Sequence, residues 1–185
     1  MPDAAGPFDA FAVERSMQAA VPAVFFAAPR VVRRIIRADR DLALSPTRTP
    51  HRDIAVLETR RLVEVAGDVL ALPAAVPERV AIVARPAFEG DVRATLREYW
   101  RLAFHALLDL EAPGAIAAAG PAATHWLPPA AATAAREVLV QEGLLDRKAD
   151  DHELLAEFMA VFLELRCFAP TAVAAWFPGI ADPDA

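Results

Sequence analysis

Apolar and polar residues follow a helical period most clearly in the segment PRVVRRIIRADRD, which begins at Pro29. At about 100° per residue, its arginines fall within a stripe of about 120°. This arginine stripe consists of Arg30, Arg33, Arg34, Arg37 and Arg40. The opposite side carries Val31, Val32, Ile35 and Ile36. The pattern predicts an amphipathic helix whose aliphatic side packs on a core and whose cationic side is polar.

A second helical pattern covers DVRATLREYWRLAFHALLDLEAPG. Asp91 is suited to cap the start of this helix, and Pro113 followed by Gly114 is expected to end it. One side of the helix is apolar and includes Tyr99 and Trp100, so both aromatic residues are predicted to lie in the core.

The other side of this helix carries a ladder of charged and polar residues. Its members are Glu98, Arg101, His105 and Asp109. They are three or four residues apart, the spacing at which helical side chains meet. Such ladders are usually solvated, so we interpret this side as a surface. The alternative is that Glu98, His105 and Asp109 are metal ligands or acid–base groups, together with His125 or His152.

The segment that starts at Asp151 predicts a helix that is apolar around most of its circumference. Its acids Glu153, Glu157 and Glu164 fall within a stripe of about 40°. A helix this apolar should be central, and its carboxylates then need cationic partners. We therefore hypothesise that these acids face the arginine stripe inside the fold.

The segment 53–86 allows two interpretations. IAVLE and RVAIVAR are short and rich in β-branched residues, so they could be strands. TRRLVEVAG between them then forms a short helix, with Thr59 as N-cap and Gly67 as its end. The same residues could instead form three short helices. We favour mostly helix, with a minor β hairpin within 54–85 as the alternative.

Further helices are predicted for Phe8–Ala20, for the segment from Pro129 to Gln141 or Glu142, and for PTAVAAWFPG. The expected fold is all-α or mostly α, a single compact bundle of about six to eight helices over residues 1–180. Residues 181–185 would be a tail or the start of a linker. The predicted core comprises Trp100, Phe104, Leu107, Phe158, Phe162 and Leu165.

Composition supports a folded domain, since 56% of the residues are hydrophobic and only 24% are charged. The alanine- and arginine-rich usage is typical of a GC-rich bacterium. Cys167 is the only cysteine. An internal disulfide and a paired-cysteine zinc site are therefore excluded, and a reducing, cytoplasmic location is expected.

Charge is distributed unevenly along the chain, whose net charge is −6. The segment from Arg30 to Arg61 contains nine arginines and four acids and so carries +5. This asymmetry suits electrostatic attraction of another protein, with an acidic protein as the complementary choice. Nucleic acid or an anionic membrane is a less favoured partner, because the whole chain is acidic and no aromatic residues interleave with the arginines.

Catalytic motifs are missing from the sequence. After His152 and Glu153, the zinc-protease pattern requires a second histidine where Ala156 stands. Neither a glycine-rich phosphate loop nor a nucleophile elbow occurs. We therefore predict no catalytic residues and no cofactor. The favoured function is a non-enzymatic helical interaction or adaptor domain of a bacterial cytoplasmic system, and a metal-binding or hydrolytic enzyme is the main alternative.

Overall fold

The computed structural model describes residues 8–39, 54–67, 70, 72–73, 75–178 and 180. Within these residues the chain forms seven α-helices and three strands, which confirms the predicted mostly α fold with a minor β element. The elements are α1 Ala10–Ala20, β1 Val24–Ala27, α2 Pro29–Ala38, β2 Ile54–Glu58, α3 Thr59–Ala66, β3 Arg79–Ala84, α4 Val92–Ala119, α5 Pro129–Gln141, α6 Asp151–Phe168 and α7 Pro170–Trp176, with a 3-10 helix Gly120–His125 after α4. Arg40 and the predicted tail 181–185 lie outside the described residues.

Strand β3 is the centre of the sheet, parallel to β1 and antiparallel to β2. Successive side chains of a strand point to opposite faces. Val80 and Ile82 accordingly pack with the buried residues of α2 and α3, whereas Ala81 and Val83 pack with those of α1 and α4. The sheet is thus covered by helices on both faces, which explains why β3 is an unbroken apolar run.

The segment 54–85 corrects our preference for helices. Both proposed strands are present, and they pair with each other in antiparallel orientation. The connection between them contains α3 and is not a tight hairpin turn. Gly67 ends α3 with φ 53°, as predicted, but the N-cap is Glu58 and not Thr59. The hydroxyl of Thr59 instead donates a hydrogen bond to the carbonyl of Pro77.

Strand β1 was not predicted. Its four residues VFFA are apolar without alternation, because both faces of the strand are largely covered. A short continuous apolar run of this kind cannot be assigned to strand or helix from its periodicity. Only its pairing with β3, in which Val24 lies opposite Ala81, makes it a strand.

Helix α4 continues through Pro113 to Ala119, so the predicted end at Pro113–Gly114 is wrong. Proline lacks the N–H that a helix interior uses and normally disfavours this position. Here Ala112 and Ile116, on either side of that point, are buried in a core formed with α5, α6 and α7. Burial of this helical face keeps the chain helical until Gly120 caps it with φ 57°.

Replacing Pro113 with Ala is expected to stabilise the protein. Alanine restores a backbone donor and a good helix former, a gain of about 3 kcal/mol in an exposed helix interior, offset by about 1 kcal/mol for the more flexible unfolded chain. We expect the free energy of unfolding in urea to rise by about 1–2 kcal/mol. The control is Gly114→Ala at the next position of α4, where an added Cβ meets nothing within 4 Å. A loss of stability in Pro113→Ala would contradict this account of α4.

The C-terminal core contains Phe158 and Leu165 as predicted, together with Phe177 from the end of α7. The other predicted core residues are less buried. Phe104, Leu107 and Phe162 are only partly buried. Trp100 is 48% exposed, so its assignment to the core is wrong, whereas Tyr99 beside it is fully buried. The apolar side of α4 is therefore narrower than its sequence suggested, and Tyr99 rather than Trp100 faces the sheet.

The segment Val92–Ala123 is long and apolar enough to cross a membrane by length and composition alone. In the structure, Leu102 and Leu110 pack toward the sheet and Ile116 packs toward the C-terminal helices. A central core helix satisfies the same criteria of length and composition. The hydropathy of this segment therefore does not by itself indicate a membrane span.

Candidate functional site

The arginine stripe forms an exposed cationic face on α2. Arg30, Arg33, Arg34 and Arg37 are all exposed. On the other side of the same helix, Val32 and Ile35 are fully buried and hold α2 against the sheet. The four arginines are thus displayed on a rigid element, and we call them the arginine face.

These four arginines form no ion pair with another residue that the structure describes. The neighbouring helix α3 differs, because Arg61 pairs with Asp39 at 2.9 Å and with Glu64 at 2.8 Å, and Arg60 pairs with Glu58. The positive charge of α3 is thus neutralised locally, whereas no acid of the described residues neutralises that of α2.

The hypothesis that the acids of α6 face the arginine stripe is wrong. Helix α2 covers one face of the sheet and α4 covers the other, so the sheet separates the arginine face from α4. Helix α6 packs against α4. The cationic partners of Glu164 are instead Arg101 and His105 of α4.

The predicted surface ladder of α4 lies against α6, with His105 buried and Glu98, Arg101 and Asp109 partly exposed. His105 is only 1% exposed, so its interpretation as a solvated residue is wrong. We call the contact between the two helices the ionic seam. Its members are Glu98, Arg101, His105 and Asp109 on α4, and Glu157 and Glu164 on α6. The polar side of α4 thus makes an interface with α6.

Glu164 lies at the centre of the seam and binds two cations. Its Oε1 accepts a hydrogen bond from Arg101 Nη1 at 2.7 Å, and its Oε2 accepts one from His105 Nδ1, also at 2.7 Å. Arg101 also donates through Nε to Glu98 at 2.8 Å. On the other side of the imidazole, His105 Nε2 lies 3.6 Å from Asp109 Oδ1. The imidazole is therefore held between two carboxylates.

These contacts shift the pKa values of the pair. Burial lowers the pKa of His105, but the hydrogen bond to Glu164 and the charges of Asp109, Glu164 and Glu157 outweigh burial, and the net pKa is raised. Burial acts in the opposite sense on Glu164, whose pKa is nevertheless lowered by His105 and Arg101. An ionised Glu164 and a protonated His105 stabilise each other.

Glu157 is the seam residue with the weakest compensation. Its Oε1 is buried and has no hydrogen-bond partner among the described residues. Burial and then the charge of Asp109 raise its pKa to about 7, although His105 acts against this rise. A buried carboxyl group without a close cation binds its proton tightly.

The proposed metal ligands are only partly brought together. His105 and Asp109 lie close to each other, but Glu98 is bound to Arg101. His125 and His152 are exposed and lie on other elements. In the described part of the chain, no group of three or more His, Cys, Asp or Glu residues is arranged to hold a metal ion.

A third polar group connects α1, β3 and α4, and the sequence did not indicate it. Glu14 of α1 pairs with Arg85, which follows β3, and accepts a hydrogen bond at 3.0 Å from the hydroxyl of Tyr99. Arg85 also lies 4.9 Å from the ring centre of Phe11. These residues are far apart in sequence and share no motif, so no sequence signal could have joined them.

Comparison with known proteins identifies no relative. No protein-family model, no curated protein and no solved structure matches the chain.

Proposed function

We propose that this chain is a protein-interaction module that binds an acidic segment of another protein through the arginine face of α2. The observation that carries the proposal is the exposure of Arg30, Arg33, Arg34 and Arg37 on one side of α2, whose opposite side is buried. None of the four arginines forms an ion pair with a residue that the structure describes. The arginine face has the spacing of a helix, so a helix with carboxylates at the same spacing is its natural complement.

The charge distribution favours a protein over a polyanion. Residues 30–61 carry +5 within a chain of net charge −6, so the remaining residues carry −11. A long nucleic acid or an extensive anionic membrane would be repelled by this acidic remainder, whereas a short acidic segment would meet only the arginine face. Complementary charge of this kind mainly accelerates association and selects the partner.

The test compares two peptides of identical composition. One carries glutamates along a single side of a helix, and the other distributes the same glutamates around the helix. We expect the one-sided peptide to bind more tightly, with an affinity that falls as salt is added. Equal affinity for both peptides, or tighter binding to duplex DNA or phosphatidylserine vesicles, would refute the proposal.

The corresponding variant is Arg33→Gln with Arg37→Gln. We expect association with the one-sided peptide to slow by about tenfold at low salt, because fewer charges steer the encounter. Stopped-flow fluorescence of a labelled peptide measures this rate. The matched control is Arg93→Gln with Arg147→Gln, which removes two exposed arginines from other parts of the surface. If the control slows association equally, the effect is one of net charge and the arginine face is not the site.

A further inference from the structure

The ionic seam contains more carboxyl groups than cations. Arg101 and His105 supply at most two positive charges, whereas Glu98, Asp109, Glu157 and Glu164 could supply four negative ones. Arg101 is already shared between Glu98 and Glu164. Among the described residues of the seam, Glu157 is therefore the acid with the least compensation when every carboxyl group is ionised, since its buried Oε1 accepts no hydrogen bond from them.

The surrounding elements do not relieve this deficit. From the sheet, Arg79 of β3 reaches α4, but it donates to the backbone carbonyl of Leu110. Arg97 of α4 donates to the carbonyl of Phe168 at the end of α6. On the α5 side, Arg136 binds the carbonyl of Ala149 and the carboxylate of Asp151. Beyond the contacts of Arg101 and His105, none of the ion pairs given for the described residues brings another cation to Glu157 or Glu164, so proton binding is the source of positive charge that we consider for these two acids.

We propose that the contact between α4 and α6 is a proton-sensitive switch, in which protonated His105 and protonated Glu157 hold the helices together and loss of these protons loosens α6. Arg101 meets Glu164, and Asp109 lies near Glu157, so the helices run antiparallel with the seam along their contact. Helix α6 also packs with α5 and α7 in the C-terminal core. Weaker contact between α4 and α6 would therefore affect that whole core.

The direction of the pH effect follows from both groups. A raised pKa in the folded state means that the folded protein binds a proton more tightly than the unfolded chain does. His105 and Glu157 both have raised pKa values, the latter about 7. Each contribution is complete below the ordinary pKa of the group, 4.5 for Glu157 and 6.5 for His105, and it is lost as the pH rises from that value through the raised pKa of the folded protein. Glu164 has a lowered pKa and opposes this trend only at acidic pH.

Amide hydrogen exchange of α6 tests the proposal. We expect the protection factors of its buried half, after correction for the intrinsic rate, to fall by up to about tenfold per pH unit between about pH 5 and pH 7, where folded Glu157 keeps a proton that the open form has lost. Amides of β3, outside the seam, serve as the reference and should change less. Protection of α6 that does not depend on pH would overturn the proposal.

Glu157→Gln supplies the matched variant, since the amide has the shape of a protonated carboxyl group and does not titrate. We expect its α6 protection to depend less on pH than that of the wild type. Glu111→Gln, an exposed acid on α4, should retain the wild-type dependence. An unaltered pH dependence in Glu157→Gln would exclude Glu157 from the switch.

The protonation of His105 can also be measured directly in the wild-type protein, so this test does not depend on whether a variant folds. In an NMR titration, His105 should lose its proton at a higher pH than the imidazole of a free histidine side chain. If His105 titrates at the pH of free histidine or below it, the seam holds no additional proton and the proposal is wrong.

Discussion

Replacing Glu164 with Ala is expected to lower the free energy of unfolding by about 3–5 kcal/mol, because it breaks two hydrogen bonds between charged groups, each worth about 1.5–3 kcal/mol. Glu164 binds both Arg101 and His105 at 2.7 Å, and its side chain is 14% exposed. The variant removes the one carboxylate that both cations share. Urea denaturation followed by circular dichroism measures the loss.

Glu98→Ala is the matched control, because Glu98 pairs with the same Arg101. Its side chain is 41% exposed, so water compensates for most of the lost ion pair. We expect a loss of about 0–1 kcal/mol. If both variants lose the same small amount, the seam is effectively solvated, and its proposed sensitivity to protons would also lose its basis.

A double replacement distinguishes two quantities: the stability lost when one member of the His105–Glu164 pair is removed, and the stability that the intact pair contributes. His105→Leu combined with Glu164→Leu replaces two buried polar groups with apolar ones. Removing both members of a buried pair often costs less than removing one. The double variant should therefore be more stable than Glu164→Ala, with the remaining loss assigned to Arg101, which keeps only Glu98.

Replacing Tyr99 with Ala is the second change with a large expected effect. Its side chain is fully buried, its ring centre lies 4.8 Å from that of Phe26, and its hydroxyl binds Glu14. Loss of a buried aromatic ring leaves a cavity and typically costs about 3–5 kcal/mol. A loss of this size in urea denaturation would confirm that Tyr99 joins α4 to the sheet and to α1.

Tyr99→Phe is the control, since it retains the ring and removes only the hydroxyl. Glu14 keeps its pairing with Arg85, so we expect a loss of about 1–2 kcal/mol. A loss as large as that of Tyr99→Ala would show that the hydrogen bond, and not ring packing, dominates at this position.

Tyr99 also offers a spectroscopic check, because it is the only tyrosine of the chain. Burial raises its pKa, and the hydrogen bond and charge of Glu14 raise it further, although Arg85 acts in the opposite direction. Tyrosinate absorbance should therefore appear on alkaline titration only at a higher pH than for free tyrosine, or when the protein unfolds. Ionisation at the ordinary pH while the fold is intact would contradict the buried placement.

The two proposals concern opposite sides of the sheet and can fail independently. The arginine face lies on α2, whereas the ionic seam lies between α4 and α6. Glu157→Gln should therefore leave binding of the one-sided acidic peptide unchanged. Conversely, the Arg33 and Arg37 variant should retain the pH dependence of α6 protection.

The local periodicity of the sequence determined most of the helices. In α2 the aliphatic and cationic sides are so distinct that the burial of Val32 and Ile35 followed directly, whereas the surroundings of the arginines did not. Asp91 and Gly67 likewise acted as a helix cap and a helix end, as predicted. These features depend on interactions within a few residues, which the sequence displays directly.

Only the tertiary structure shows whether the polar side of α4 faces water or another helix. Helical spacing placed His105 and Asp109 on one side of the helix, but it cannot say whether that side faces water or another helix. The acids of α6 have a matching spacing, which was a signal for the seam, yet the arginine stripe offered them an equally plausible partner. The sheet between α2 and α4 excluded that pairing, and its strand β1 becomes recognisable only through β3. Burial depends on which elements meet in space, and residues distant in sequence determine that.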